Sequence, residues 1–190
     1  MSVASVLLAR APMLSASTVY ELSARGALHR FLRRATKTLV SSQYVAGASP
    51  GSYVDGVRVE DVERLTFASD SFDICTSTEV FEHVTDDRRA FREVLRVLKP
   101  GGTLVFSVPI DLDADTVERA RVVDGRVVHL AAPEHHRDPA SRDAPILAFR
   151  NYGRDIVDRL VDAGFSSGDI LHPSEGPWFG FRRPVIVAVK

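Results

Sequence analysis

Apolar and polar positions alternate with two different periods along this chain, and the switch is clearest between Ser71 and Pro109. A short apolar run (Phe72, Ile74, Cys75) has strand composition and runs into a polar turn, Ser77-Thr78-Glu79. Phe91, Val94, Leu95 and Leu98 then recur at i, i+3, i+4 and i+7, the stripe of a helix laid against a sheet. Thr85 is placed to cap that helix, Asp86 and Asp87 suit its positive end, and Arg96 and Lys99 its last turn. Pro100 stops it, Gly101 or Gly102 turns the chain, and Thr103–Val108 returns as a strand. The product is a strand-helix-strand unit with a parallel pair, and ligands of such sheets collect at the carboxyl ends of the strands.

The rest of the chain extends the pattern. Thr18–Leu22 reads as a strand, and Leu28, Phe31, Leu32 and Ala35 give the following helix its apolar face. Thr38–Val45 and Val57–Glu60 are strands, separated by a Gly-, Ser- and Pro-rich connector (46–56) where a covering helix would be usual. Asp124-Gly125 between two β-branched runs predicts a two-residue hairpin. Asn151–Ala163 is expected to be a helix ended by Gly164, with Ile156, Val157, Leu160 and Val161 on its apolar side. Asp169–His172 and Pro184–Val189, joined through residues 175–180, are expected to close the sheet as an antiparallel hairpin. Segment 112–150 is too long for an ordinary connector and is expected to fold as an inserted substrate lid on a single domain spanning 1–190.

Composition narrows the function. With 190 residues, 45% hydrophobic, 26% charged and a net charge of −1, the chain fits one globular domain without the basic surface of a nucleic-acid binder. No stretch is long enough to span a bilayer, and the apolar N-terminus interrupted by Arg10 is read as a leading helix against the sheet, in a cytoplasmic protein. The single Cys75 excludes an internal disulfide and a cysteine-built zinc site, and inside a strand it reads as a small buried apolar residue.

The order SFD, an apolar strand, TEVFEHV, a helix, LRVLKPGG and a strand ending in VP resembles the class I S-adenosylmethionine-dependent methyltransferases, in particular the small bacterial branch acting on small molecules. The resemblance is closest over 57–109, extends over 17–56 and is weakest over 112–150. It implies an α/β, Rossmann-like, mostly parallel seven-stranded sheet with helices on both faces and an antiparallel C-terminal hairpin. It also implies S-adenosylmethionine as cofactor, with Glu21 as the acid of the cofactor turn. Where the family places alternating glycines, this chain has Ser23, Arg25 and Ala27, and its one glycine, Gly26, is a position out of register. Ser23 and Gly26 are the turn residues expected to touch the cofactor, Gln43 stands where an acid would accept the ribose hydroxyls, and Asp61 and Val62 take the adenine positions. Thr78, Glu79 and His83 line the cleft, Glu79 to orient an amine and His83 to pack the loop.

In Glu134-His135-His136-Arg137-Asp138, adjacent histidines point apart on an extended chain and no third ligand stands at metal spacing, so no metal is expected. His136 is instead the candidate catalytic base. The expected activity is methyl transfer to a small-molecule acceptor, with no nucleic-acid or membrane partner and a homodimer left open. The alternative is a non-catalytic module that kept the fold after losing the glycine turn, while the absence of G-x-G-x-x-G disfavours a nicotinamide oxidoreductase.

Overall fold

The computed structural model describes residues 2–10, 14–137, 145–172 and 183–190; the expected link at 175–180 lies outside them. Helix α1 (Ser2–Arg10) leads into β1 (Thr18–Glu21), α2 (Gly26–Ala35), β2 (Thr38–Gln43), β3 (Tyr53–Val54), β4 (Val57–Val59) and β5 (Phe72–Thr78). A 3-10 turn at Leu14–Ala16 lies between α1 and β1, and a second, Phe81–His83, precedes α3 (Asp87–Val97) and β6 (Leu98–Ser107). Short strands follow: β7 (Ile110–Asp111), β8 (Val117–Glu118), β9 (Ala120–Val123), β10 (Arg126–His129), β11 (His135–His136), β12 (Ile146–Leu147) and β13 (Arg150–Gly153). Helix α4 (Ile156–Ala163), β14 (Ser167–Leu171) and β15 (Val185–Val189) complete the order.

The main sheet has eight strands in the order β14-β15-β6-β5-β1-β2-β4-β3. The five strands from β6 to β4 are parallel, β15 runs antiparallel to both its neighbours, and β3 adds an antiparallel edge to the seven strands expected. That edge is made by a tight turn at Asp55-Gly56, both at positive φ, inside the segment read from sequence as an irregular connector. The expected missing helix is confirmed, since no helix lies between β2 and β4.

Apolar side chains divide the sheet into two faces. Val3, Val6 and Leu7 of α1 and Leu28 and Leu32 of α2 pack on Val19, Ile74, Val105 and Val187, while α3 and α4 bury Phe91, Val94, Ile156 and Leu160 against Cys75, Leu104, Phe106 and Ile186 on the other face. The leading helix expected from the N-terminal sequence is therefore present. Cys75 is fully buried and burial pushes its thiol pKa up, as a packing residue requires.

Several boundaries differ from the sequence reading. Asp86, not Thr85, caps α3 by accepting from the Arg89 amide at 2.9 Å, because Thr85 donates both its amide and its hydroxyl to Glu63 Oε1. The helix ends at Val97, so Leu98 and Lys99 belong to β6, where Lys99 pairs with Asp73 at 2.8 Å. Gly101, at φ +75, lies inside β6, opposite a register irregularity in the pairing with β5, not at a turn between helix and strand. Residues 151–153 are strand, not helix.

Within 112–150 the Asp124-Gly125 hairpin forms as expected, with Val123 opposite Arg126 and Asp124 and Gly125 at φ +50 and +73. Beside it β7, β13 and β8 make a small three-stranded sheet. This unit is fixed to the main sheet through Arg150, whose guanidinium is 2% exposed. Its nitrogens donate to the carbonyls of Phe81 (3.0 Å), Val84 (2.8 Å) and Thr85 (3.1 Å), and Asp87 and Glu118 supply the countercharge at 3.6 and 3.3 Å. Arg159 joins the same carboxylates at 3.0 and 2.9 Å, and the Tyr152 hydroxyl donates to Asp87 Oδ2 at 3.0 Å.

Removing one member of a buried, fully bonded charge set leaves the others uncompensated, at a cost of about 3–5 kcal/mol. Arg150→Ala is expected to lower unfolding stability by about that amount in urea titrations. Exposed Arg154→Ala should change it by less than about 1 kcal/mol. Equal stabilities for the two variants would contradict the anchoring role of Arg150.

Candidate functional site

The carboxyl ends of four adjacent parallel strands form one polar edge. At the end of β1, Glu21 is 1% exposed, accepts a bond from the Thr76 hydroxyl of β5 and one from the Ser23 backbone amide, and its carboxyl is pushed up to about 8 by burial. Beyond it, residues 22–25 turn into α2 without the alternating glycines. Ser23 Oγ is 3.3 Å from both the amide and the carbonyl of Arg25, and Gly26 opens the helix at φ +89. The N-cap residue Arg25 makes no side-chain bond to the first turn of α2, so among the described residues its first amides are open to another acceptor.

Gln43 ends β2, and its Oε1 accepts from Arg25 Nε at 2.9 Å, so the residue at the expected ribose position already faces the turn after β1. At the end of β4, Asp61 Oδ1 accepts from the Glu63 amide at 2.9 Å and Val62 packs into the core. The Asp61 carboxylate thus serves as a local cap. A shallow pocket of about 90 Å³ opens here, lined by Tyr44, Val45, Pro50, Glu60, Asp61 and Arg64.

Glu60, which is not among the candidates read from the sequence, is the more deeply set acid. It is 3% exposed and accepts from Arg58 Nε (2.7 Å), the Thr66 amide (3.0 Å) and the Thr66 hydroxyl (2.5 Å).

At the end of β5, Thr78 is exposed and Glu79 takes a positive φ of 55. Glu79 accepts from Ser107 Oγ at 3.2 Å and pairs with Arg183; burial, followed by the nearby charge of Glu82, raises its pKa. Glu79 and His83 do not form the pair that a helical spacing would give, because residues 81–83 form a 3-10 turn. His83 instead turns toward segment 112–150, where its Nδ1 meets the Leu147 carbonyl at 2.9 Å and its ring packs edge-on to His136 with centroids 5.0 Å apart.

His136 therefore lies against the 81–83 turn. Its Nε2 is 3.2 Å from Glu134 Oε1 and its Nδ1 is 3.8 Å from Glu82 Oε1. These two carboxylates, Glu82 first, hold its pKa up to about 9. His136, the base expected from the sequence, thus stands between two carboxylates. The same geometry brings Glu82 and His83 beside His136, partners that sequence spacing could not reveal.

Two stability predictions follow from these acids. Glu60→Ala strands three donors and is expected to cost about 1–3 kcal/mol in chemical denaturation. A loss below about 0.5 kcal/mol would contradict its structural role. For Glu21, the unfolded carboxyl releases its proton above its ordinary value of 4.5, whereas the folded one keeps it to about 8. The unfolded state binds fewer protons in that window, so Glu21's contribution to stability is lost as pH rises from 4.5 to 8, by about 4 kcal/mol. The stability difference between wild type and Glu21→Gln should move by that amount over the window, and a pH-independent difference would contradict the buried neutral acid.

Comparison with known proteins locates this architecture. Residues 21–106 match the family model described as a methyltransferase domain. An uncharacterized 37.1 kDa protein in transposon TN4556 of Streptomyces fradiae is 32% identical over 110 residues, which is 58% of this chain and 29% of that protein. The chain spans less than a third of the length of the curated relatives it matches. An S-adenosylmethionine-dependent methyltransferase structure from Mesorhizobium loti superposes with a TM-score of 0.59 at 18% identity, covering 97% of this chain and 96% of that one. A Burkholderia thailandensis 1,6-didemethyltoxoflavin-N1-methyltransferase, solved with its namesake ligand and S-adenosylhomocysteine, gives 0.58 at 15% identity over 98% of this chain and 76% of that one.

Proposed function

We propose that this chain, which shares its fold with S-adenosylmethionine-dependent methyltransferase structures and matches the methyltransferase-domain model over residues 21–106, is a class I S-adenosylmethionine-dependent methyltransferase that transfers a methyl group to a small-molecule acceptor. The observation that carries the reading is the row Glu21, Gln43, Asp61 and Thr78 along the carboxyl edge of four adjacent parallel strands, the place where such sheets bind nucleotides.

The residues present fit this cofactor. The uncapped amides of α2, with Ser23 and Gly26 before them, suit its carboxylate, and Glu21 sits beneath that turn. Gln43 Oε1 suits a ribose hydroxyl once Arg25 yields it, the second oxygen of Asp61 and the Val62 backbone suit the adenine, and Thr78 and Glu79 border the methionine side. When bound, S-adenosylmethionine supplies an electrophilic sulfonium methyl for direct in-line displacement.

The chain's own task is to hold the donor, orient the acceptor and exclude water, so no protein nucleophile is required. The acceptor is assigned to segment 112–150, whose described residues follow β6 and pack against the turn after β5 through His136 on His83 and Phe149 on Glu82. The Burkholderia enzyme, solved with 1,6-didemethyltoxoflavin bound, supports a small-molecule acceptor.

Calorimetric titration with S-adenosylhomocysteine is expected to give one-site binding, and silence at millimolar ligand would favour the non-catalytic module. Asp61→Asn keeps the cap to the Glu63 amide but replaces an acceptor with a donor toward the adenine amino group. It should weaken binding by about tenfold or more without lowering the melting temperature. Unchanged affinity would remove Asp61 from the adenine site.

A further inference from the structure

Glu82 is an anomaly outside the cofactor edge. Its side chain is 1% exposed, and neither carboxylate oxygen has a hydrogen-bond partner among the described residues. A carboxylate removed from water and left without a donor is costly, so a native one calls for an explanation. The groups nearest to it are metal-ligand atoms. His83 Nε2 lies 3.7 Å and His136 Nδ1 3.8 Å from Glu82 Oε1, both beyond hydrogen-bond reach, and all three ligand atoms lie within 4.8 Å of one another.

We propose that Glu82 Oε1, His83 Nε2 and His136 Nδ1 form a three-ligand site for a divalent transition-metal ion, zinc foremost. Two imidazoles and one carboxylate are a donor set that zinc accepts, leaving at least one position for water. Ligands about 2.0–2.2 Å from a tetrahedral ion stand about 3.3–3.5 Å apart, so the two separations from Glu82 Oε1 need to contract by only a few tenths of an ångström, and the histidine pair, within 4.8 Å, closes by rotation of the two rings.

The second ring nitrogen of each histidine argues for the same assignment. The Leu147 carbonyl, 2.9 Å from His83 Nδ1, can only accept, so Nδ1 carries the proton and Nε2 keeps its lone pair toward Glu82. Glu134 Oε1 likewise takes the Nε2 proton of His136 and turns Nδ1 toward Glu82. Glu134 is itself fixed by Asn151 at 3.2 Å and Arg119 at 3.3 Å. Outer partners that set the tautomer and aim of each imidazole are what a metal site requires. Exposed His135, on the other side of the strand, takes no part.

The test uses the full chain, stripped with chelator and titrated with cobalt(II) as a spectroscopic stand-in and with zinc by calorimetry. One ion per chain is expected, with a visible cobalt ligand-field band. His83→Ala and His136→Ala should each lose the band and weaken binding by about a hundredfold or more, while His135→Ala matches wild type. If Glu82→Gln fails to fold, the two histidine variants still decide. The proposal is overturned if the stripped protein binds neither ion at one per chain, or if His83→Ala and His136→Ala bind as wild type does. S-adenosylhomocysteine affinity of the stripped protein is read separately, so failure of the metal site and failure of the methyltransferase reading are distinguishable.

Discussion

The seating of the Arg150 guanidinium beneath residues 81–85 is the constraint on which the arrangement beyond β5 depends. A planar group with five donors can satisfy several carbonyls of one irregular turn at once, and here it reaches those of Phe81, Val84 and Thr85. The Glu82 carbonyl is taken by the Phe149 amide at 2.8 Å, and the Leu147 carbonyl accepts from His83. Residues 147–150 are thus laced to 81–85. Without that lacing, the turn after β5 would have buried carbonyls to satisfy, and Glu82, His83 and His136 would have no reason to converge. Asp87 ties the same cluster to the first turn of α3, so helix, turn and inserted segment form one unit.

The carboxyl edge of the sheet divides into two environments with different physics. From β1 to β4 the groups are hydrogen-bond acceptors arranged along strand ends, with Arg25 linking the turn after β1 to Gln43. Beyond β5, Arg150 and Asp87 are buried and held by charge compensation, while Glu82 has no hydrogen-bond partner among the described residues. The first environment suits a neutral nucleoside with a polar tail. The second suits tight positioning of whatever meets it from the inserted segment. Absence of a helix between β2 and β4 is offset locally by the β3 edge strand and by the 60–67 loop, whose Phe67 packs on Tyr20 beside Phe72 of β5, with centroids 4.9 and 5.2 Å from Tyr20.

Elements set by local periodicity were legible in the sequence, and elements set by distant contacts were not. The stripe of α3, the strands flanking it and the Asp124-Gly125 hairpin follow from spacing and turn chemistry, and the antiparallel C-terminal pair from the family resemblance. Asp55-Gly56 carried the same hairpin signal, but its flanking runs are only two or three residues long, too short to stand out. Strand β13 was hidden because its inward residues are Arg150 and Tyr152, whose burial makes sense only with Asp87 and the 81–85 carbonyls in view. Glu60 and Asp61 are neighbours with opposite environments, and no sequence pattern tells which acid is held by three donors. The turn Phe81–His83 breaks the helical spacing that would pair Glu79 with His83, and only the packing of β11 and β12 shows that His83 belongs with His136.

Hydrogen–deuterium exchange of the full chain with and without S-adenosylhomocysteine tests the central claim most directly, because it reports where a ligand lands as well as whether it binds. Protection confined to residues 21–27, 42–45, 59–64 and 76–80 is the predicted result. Protection elsewhere with those four strand ends unchanged, or no protection at saturating ligand, would contradict the account.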